Sequence, residues 1–459
     1  MRVIADNLQI EPGDELFIPL HKDIQFRIEE CGNAASLRIN SQLIDDAKDA
    51  WRSWATFRAN SDGVVDFAND APTDGAFNGV DIGGLFWSVT PDSPTHRLDF
   101  ETLASGASLL PESDALGDLR YQLEFCTTNG APIIVNVVRQ RLSNSVDCER
   151  MRSGDLRGLL FQPRFGRPKG AVLILGGSEG GIVGARTAAL AWEGYAALAL
   201  GYFNYEDRPR AAFGLPLEYF ERALAFLAER FPGCKRAIWG GSRGAEAALL
   251  TSINFPGAVD AVVGWVPSHL IHDGFDMDGG EDFSASRRAM WTLRDREIAG
   301  APFKEVDAKI RIKRSEKYRA RPGYSYADEF FETWRKAGDD SEYHIPVERL
   351  AAPLLLVSAG DDRLWPSKMG AERIMRRLDR HSAKIQREHI VLCNAGHAVG
   401  MPNEPRPFSD TTFWRDGYSG VDGGFVNMGG APSTNALAAR EGWRVVTAFL
   451  AKHLDATEQ

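Results

Sequence analysis

Three residue types, at three places in this chain, are suited to covalent chemistry together. A serine stands in Gly240-Gly241-Ser242-Arg243-Gly244, between the small apolar run Ala237-Ile238-Trp239 and the helix formers Ala245-Glu246-Ala247-Ala248-Leu249-Leu250. The five residues read G-x-S-x-G. Alone, that pattern fits any glycine-rich turn; between a strand and a helix it fits a nucleophile elbow. The turn is tight, and side chains at the flanking glycines would collide with the neighbouring strand and helix. The serine hydroxyl then stands clear of the sheet edge. The next N–H, that of Arg243, opens a helix, where it can face a developing oxyanion.

A serine becomes nucleophilic beside a base, and the base needs an orienting carboxylate. The chain order expected after such an elbow is Ser, then Asp or Glu, then His. Asp361-Asp362 follows the apolar run Leu354-Leu355-Leu356-Val357-Ser358. A carboxylate at the C-terminal end of a strand lies on the ligand side of a parallel sheet. Asp362 is preferred because Arg363-Leu364-Trp365-Pro366 follows it in a D-x-x-x-P pattern; the alternative is that both aspartates only cap a helix starting near Ser367. His397, in Asn394-Ala395-Gly396-His397, lies 35 residues beyond Asp362 and follows a strand over 389–392. It is the expected base, with His269 and His272, just after another strand, as its rivals. The rest of the oxyanion hole is expected from Gly176-Gly177-Ser178-Glu179-Gly180-Gly181. There the N–H of Ser178 or Glu179 is the second donor, and Gly177 and Gly180 let the backbone approach substrate. The loop has neither P-loop nor dinucleotide-binding spacing.

Elements must place these residues. From 171 onward, apolar runs over 171–175, 196–200, 237–239, 258–266, 353–358 and 389–392 alternate with helical patterns. Leu217, Phe220, Leu224, Leu227 and Phe231 recur at helical spacing, and a last helix is expected over 435–453. Continuous apolar strands between helices predict a mostly parallel sheet covered on both faces, the α/β-hydrolase arrangement. The rhythm breaks over 268–348, which reads as a cap insertion. That insertion carries Lys309, Arg311, Lys313, Arg314, Lys317, Arg319 and Arg321, a set suited to a polyanionic ligand or to a solvated helix face. Residues 1–143 read differently: Ile24, Phe26 and Ile28, then Tyr121, Leu123 and Phe125, then Ile133, Val135 and Val137 alternate with polar residues. Period-two strands between turn clusters predict an all-β, immunoglobulin-like sandwich. The polar, charged stretch 144–157 reads as the linker to a catalytic domain over 158–459.

Bulk composition narrows the partners. The 459 residues carry a formal charge of −10 with 44% hydrophobic and 25% charged residues, which speaks against a nucleic-acid surface. Cys31, Cys126, Cys148, Cys234 and Cys393 form no framework, so a reducing, cytoplasmic setting is expected. No apolar run has the length of a membrane span. Asp45, Asp46 and Asp49 lack the spacing of a known metal site and read as a solvated loop.

The chain resembles the acyl-CoA thioesterases related to bile acid-CoA:amino acid N-acyltransferase. Ala199-Leu200-Gly201-Tyr202-Phe203-Asn204-Tyr205-Glu206-Asp207 is similar to the family's A-Y-x-N-Y-E-D, and Ser242-Arg243-Gly244-Ala245-Glu246 to its S-K-G-A-E. Ile345-Pro346-Val347-Glu348-Arg349, Ala359-Gly360-Asp361-Asp362 and Gly396-His397 extend the likeness, as do Trp51 to Ala59 and Gly79 to Ser88 in the first domain. The resemblance implies Ser242, Asp362 and His397 as a triad acting on an acyl-CoA thioester. CoA is then part of the substrate, no metal or bound cofactor is expected, and cap cations such as Lys313 and Arg314 would meet its phosphates. Amino-acid-conjugating members carry cysteine at the nucleophile, so serine favours water as acceptor. An ester or lactone hydrolase and an N-acyltransferase are alternatives with the same site. An interaction protein on a vestigial hydrolase fold is the alternative from another class.

Overall fold

The computed structural model describes residues 1–44, 50–91, 116–128, 130–275, 288–301, 323–338, 341–405, 411–414 and 424–455. Alternation of buried and exposed side chains builds the N-terminal part. In Ser36–Ile44, Leu37, Ile39, Ser41 and Leu43 point inward while their neighbours face out, and Ala50–Arg58 pairs with it antiparallel. These strands lie in a sheet ordered Glu15–Pro19, Ile133–Gln140, Leu119–Thr127, Ser36–Ile44, Ala50–Arg58, Asp74–Gly75. A second sheet runs Leu8–Ile10, Arg2–Ala5, Phe26–Glu29, Val65–Asp66. Phe26 of the smaller sheet meets Phe125 of the larger one at 5.9 Å between ring centroids, so the two inner faces share a core.

The stretch expected as a linker, 144–157, belongs instead to a third, eight-stranded sheet. Val146–Ser153 (β1) and Leu156–Pro163 (β2) form an antiparallel hairpin at its edge. β1 exposes most of its side chains, which is why its sequence reads as polar and charged. Beyond it come Ala171–Leu175 (β3), Ala196–Gly201 (β4), Arg236–Gly241 (β5), Ala261–Trp265 (β6), Leu354–Ala359 (β7) and Arg387–Leu392 (β8). The spatial order is β1-β2-β4-β3-β5-β6-β7-β8, parallel from β4 to β8.

Helices cover both faces, as the fully buried strands require. Gly184–Trp192 (α1) and Pro432–Leu454 (α6) share one core with Val172, Trp239, Val263 and Val357. Leu217–Arg230 (α2), Arg243–Asn254 (α3) and Ser367–Arg380 (α5) share the other with Leu173, Ile238, Val262 and Leu356. The described parts of the 268–348 insertion include a hairpin of Trp291–Leu293 and Arg296–Ile298, and the helix Ala327–Ala337 (α4). A further hairpin, Thr411–Trp414 with Gly424–Asn427, follows β8 and has no counterpart in the sequence reading. Among the described residues no helix is long and apolar enough to cross a membrane.

Candidate active site

The C-terminal ends of the parallel strands form one edge of the sheet, and the three expected reactive residues all reach it. Ser242 sits between β5 and α3 with φ +53° and ψ −118°, a region L-residues avoid, at a cost of about 1–3 kcal/mol. The surroundings impose that conformation. Ser242 N–H donates to Trp265 O of β6 at 2.8 Å. A Cβ on Gly240 would lie 1.9 Å from Gly244 O, and one on Gly244 would lie 2.2 Å from Gly176 O. The elbow is tight enough to exclude any side chain at either glycine.

His397 bridges the other two. Its Nε2 lies 3.1 Å from Ser242 Oγ, and its Nδ1 lies 2.9 Å from Asp362 Oδ2. Asp362 Oδ1 accepts the backbone N–H groups of Leu364 and Trp365, each at 3.1 Å, so the carboxylate is held in place from both sides. An ionised Asp362 accepts from Nδ1–H, which leaves Nε2 bare to receive the serine proton. The side chains of His397 and Asp362 are 9% and 1% exposed, so the pair works at low local dielectric.

Asp361, the discarded neighbour, turns away from the base. Its Oδ2 accepts Gly430 N–H at 3.0 Å and its Oδ1 pairs with Arg363 at 2.7 Å. It thereby holds the 428–430 loop, and that loop holds the histidine: His397 N–H donates to Met428 O at 2.7 Å. Asn435, on α6, accepts Gly396 N–H at 2.8 Å. The sequence marked Asn435 only as the start of the last helix; that helix begins at Pro432, and Asn435 lies in its first turn.

The 176–181 loop faces the elbow. Gly177 N–H donates to Glu179 Oε1 at 2.8 Å, and Gly180 N–H to Gly177 O at 3.3 Å. Both glycines thus have their N–H groups engaged within the loop. Their value is clearance: a Cβ on Gly177 would lie 3.0 Å from Ser242 Cβ, and one on Gly180 would lie 2.7 Å from Asn204 Cβ. The N–H groups of Ser178 and Glu179 have no other partner among the described residues, and Arg243 N–H begins α3. Three residues of the 199–207 stretch hold this loop: Tyr202 OH donates to Gly176 O at 2.7 Å, Asn204 Nδ2 donates to Glu179 O at 3.4 Å, and Phe203 O accepts Gly181 N–H at 3.1 Å. That stretch carried a resemblance in the sequence but no role.

The rival histidines lie elsewhere. His269 Nε2 accepts from Arg373 at 3.0 Å, and His272 Nδ1 lies 2.7 Å from Glu246. Lys313 and Arg314, with the rest of the basic run, and the Asp45, Asp46 and Asp49 cluster lie outside the described residues.

A parallel sheet in this order, with a serine elbow after β5, an acid after β7 and a histidine after β8, is an α/β-hydrolase fold with an N-terminal β-sandwich. Comparison with known proteins gives the family. Residues 215–456 match the family described as BAAT / Acyl-CoA thioester hydrolase C terminal, and residues 21–153 match Acyl-CoA thioester hydrolase/BAAT N-terminal region. The chain belongs to this BAAT / acyl-CoA thioester hydrolase family. It is 26% identical to acyl-coenzyme A thioesterase 1 of Homo sapiens, over 92% of this chain and 90% of that protein. Its identity to acyl-coenzyme A amino acid N-acyltransferase 1 of Mus musculus is 27%, over 91% of each. Among solved structures, MGS-M1, an α/β hydrolase enzyme from a Medee basin deep-sea metagenome library, superposes with a TM-score of 0.41 at 14% identity, over 68% of this chain and 100% of that one.

Proposed function

We propose that this protein hydrolyses acyl-CoA thioesters through an acyl-serine intermediate. The observation that carries the reading is His397 held between Ser242 Oγ at 3.1 Å and Asp362 Oδ2 at 2.9 Å. Ser242 Oγ attacks the thioester carbonyl as His397 Nε2 takes its proton. The N–H groups of Arg243 and of Ser178 or Glu179 receive the oxyanion. The C–S bond breaks, and His397 returns the proton to the departing thiolate. Water then enters, gives a proton to His397, and attacks the ester carbonyl, releasing the acid and restoring the serine. Asp362 stays ionised throughout and stabilises the imidazolium. No step needs a metal.

Family membership and the named relatives support a thioester over a simple ester. The similarity to an N-acyltransferase keeps an amine acceptor as a second reading, against which serine at position 242 speaks. We read the chain as a sandwich domain to about residue 143 and a hydrolase domain beyond it. Five free cysteines support a reducing, cytoplasmic setting. Thiol release from acyl-CoAs of graded chain length, beside simple esters and lactones, tests the proposal. Wild-type protein is expected to favour the thioesters, and Ser242→Ala to lose at least about a thousandfold in kcat. Full activity in that variant removes Ser242 from the mechanism. Glycine or taurine conjugates by mass would mark an acyltransferase instead.

A further inference from the structure

A buried polar chain runs from the elbow into the cap insertion. The side chain of Arg243, whose N–H adjoins Ser242, donates from Nη1 to Glu246 Oε1 at 3.1 Å and from Nη2 to Asp273 O at 2.7 Å. Glu246 has no solvent exposure and takes three further donors. These are His272 Nδ1 at 2.7 Å, His272 N–H at 3.3 Å and Trp291 Nε1 at 3.2 Å. On its other side, His272 Nε2 meets Trp334 Nε1 of α4 at 2.9 Å.

Donor arithmetic fixes the protons. An indole N–H only donates, so His272 Nε2 must accept and carries no hydrogen. The imidazole is therefore neutral, and its one proton sits on Nδ1, directed at Glu246. Burial favours that neutral form and holds His272 below its ordinary value against the pull of Glu246. Burial also pushes the Glu246 carboxyl up, but Arg243 and His272 outweigh it and keep the group ionised. One carboxylate and one guanidinium thus balance, and His272 relays their position to α4 without adding charge.

The same imidazole touches the acid loop. Trp365, three residues after Asp362, stacks on His272 at 5.5 Å and stands edge-on to His397 at 5.6 Å. The start of α4 is pinned nearby, with Ser325 Oγ donating to Arg363 O at 2.8 Å.

We propose that His272 is a positioning residue: it registers the cap helix α4 against the elbow, and so fixes the Arg243 N–H that faces the oxyanion. This rests on the serine-hydrolase reading above. The sequence offered His272 as a rival base; the structure assigns it a second, structural partner carboxylate instead.

His272→Phe keeps the ring volume and removes both polar contacts. In folded protein, labelling of Ser242 by a fluorophosphonate is expected to slow about tenfold, short of the hundredfold or more that follows loss of a whole oxyanion donor. The kcat for an acyl-CoA should fall in parallel, with KM changed less than about twofold. Affinity for an acyl trifluoromethyl ketone, which forms the tetrahedral adduct, should fall with kcat. His272→Asn, which returns a donor towards Glu246, should recover part of the loss. Trp334→Phe, which deletes only the indole N–H, should move the same quantities in the same direction. Nitrogen chemical shifts of labelled histidine in the wild-type protein should show His272 protonated on Nδ1 alone. Wild-type labelling rates in His272→Phe and Trp334→Phe with only lowered melting temperatures, or a proton on Nε2, overturn the proposal. Failure of the wild-type protein to label at Ser242 overturns the hydrolase reading itself.

Discussion

Asp361 and Asp362 are chemically alike, adjacent and both at the end of β7, yet the fold gives them different work. Asp362 faces His397 and accepts two backbone N–H groups; Asp361 faces Gly430 and Arg363. Asp362→Asn should keep the packing and place an amide against Nδ1, which favours the wrong tautomer. A kcat loss of about ten-thousandfold is expected, read by thiol release from an acyl-CoA. Asp361→Ala should cost less than about tenfold, with a lower melting temperature, because it loosens the 428–430 loop without touching the base. The reverse ranking would exchange the two assignments. Val266 records similar pressure: a β-branched residue at φ +41°, it presents its carbonyl to Trp365 Nε1 at 3.0 Å. Unfavourable backbone is tolerated on both sides of the acid loop and the elbow, where surrounding contacts over-determine it.

At the scale of elements, the elbow is a collision narrowly avoided between β5, α3 and the loop after β3. A Cβ on Gly244 would lie 2.2 Å from Gly176 O and 2.8 Å from Leu175 O, both backbone atoms that cannot rotate aside. Gly244→Ala should therefore destabilise the protein by at least about 2 kcal/mol and disturb the oxyanion loop with it. Gly241 has nothing within 4 Å of its would-be Cβ, and Gly241→Ala should stay within about 0.5 kcal/mol of wild type. Denaturant melts of the two variants make the comparison. Equal losses would mean that glycine content, not clearance, matters here. The cap helix α4 acts at this scale too, since it contacts both the residues after Asp362 and His272.

Across the whole molecule, the sandwich grips the two helices that prop the site. α1 follows the 176–181 loop, and α6 carries Asn435 beneath Gly396. Glu193, at the end of α1, takes Lys22 Nζ at 2.7 Å, while the His21 ring packs on Trp192 of α1 and Trp443 of α6. Asp81, which also accepts Trp87 Nε1 at 2.8 Å, pairs with Arg440 of α6. Burial alone would push the Glu193 carboxyl up, but the adjoining His21 ring and the Lys22 hydrogen bond bring it from 4.5 to about 2. His21 is itself held below its ordinary value by burial, so Lys22 carries the positive charge of this contact at neutral pH. Between those two pH values the unfolded chain binds more protons than the folded one, so stability rises with pH there. The stabilisation is complete above about pH 4.5 and is lost as the pH falls through about 2. Glu193→Gln should lower stability at pH 7 by up to about 2 kcal/mol, allowing for solvent over a partly exposed carboxylate, and should flatten the acid limb of a melting-temperature profile. An unchanged acid limb would place the pH dependence elsewhere.

The sequence by itself determined the elbow, the chain order of serine, acid and base, and the alternation of strand and helix that carries them. Those signals are local: an apolar run, two glycines around a serine, and helix formers all lie within one short stretch. It also singled out His397, which directly follows a strand in a glycine-containing turn and which the fold brings to 3.1 Å from Ser242 Oγ. Tertiary structure decided what depends on neighbours distant in the chain. Only the packed loops separate Asp361 from Asp362. Only the Glu179 carboxylate, folding back on Gly177 N–H, engages that amide within its own loop. β1 reads as a linker because an edge strand can expose its charged side chains and still pair its backbone. The partners of Asn204, Asn435, Glu246 and His272 escape any local reading for the same reason. Each of these residues gains its role from a polar partner in another segment, and composition and spacing carry no record of which buried donor will meet which acceptor.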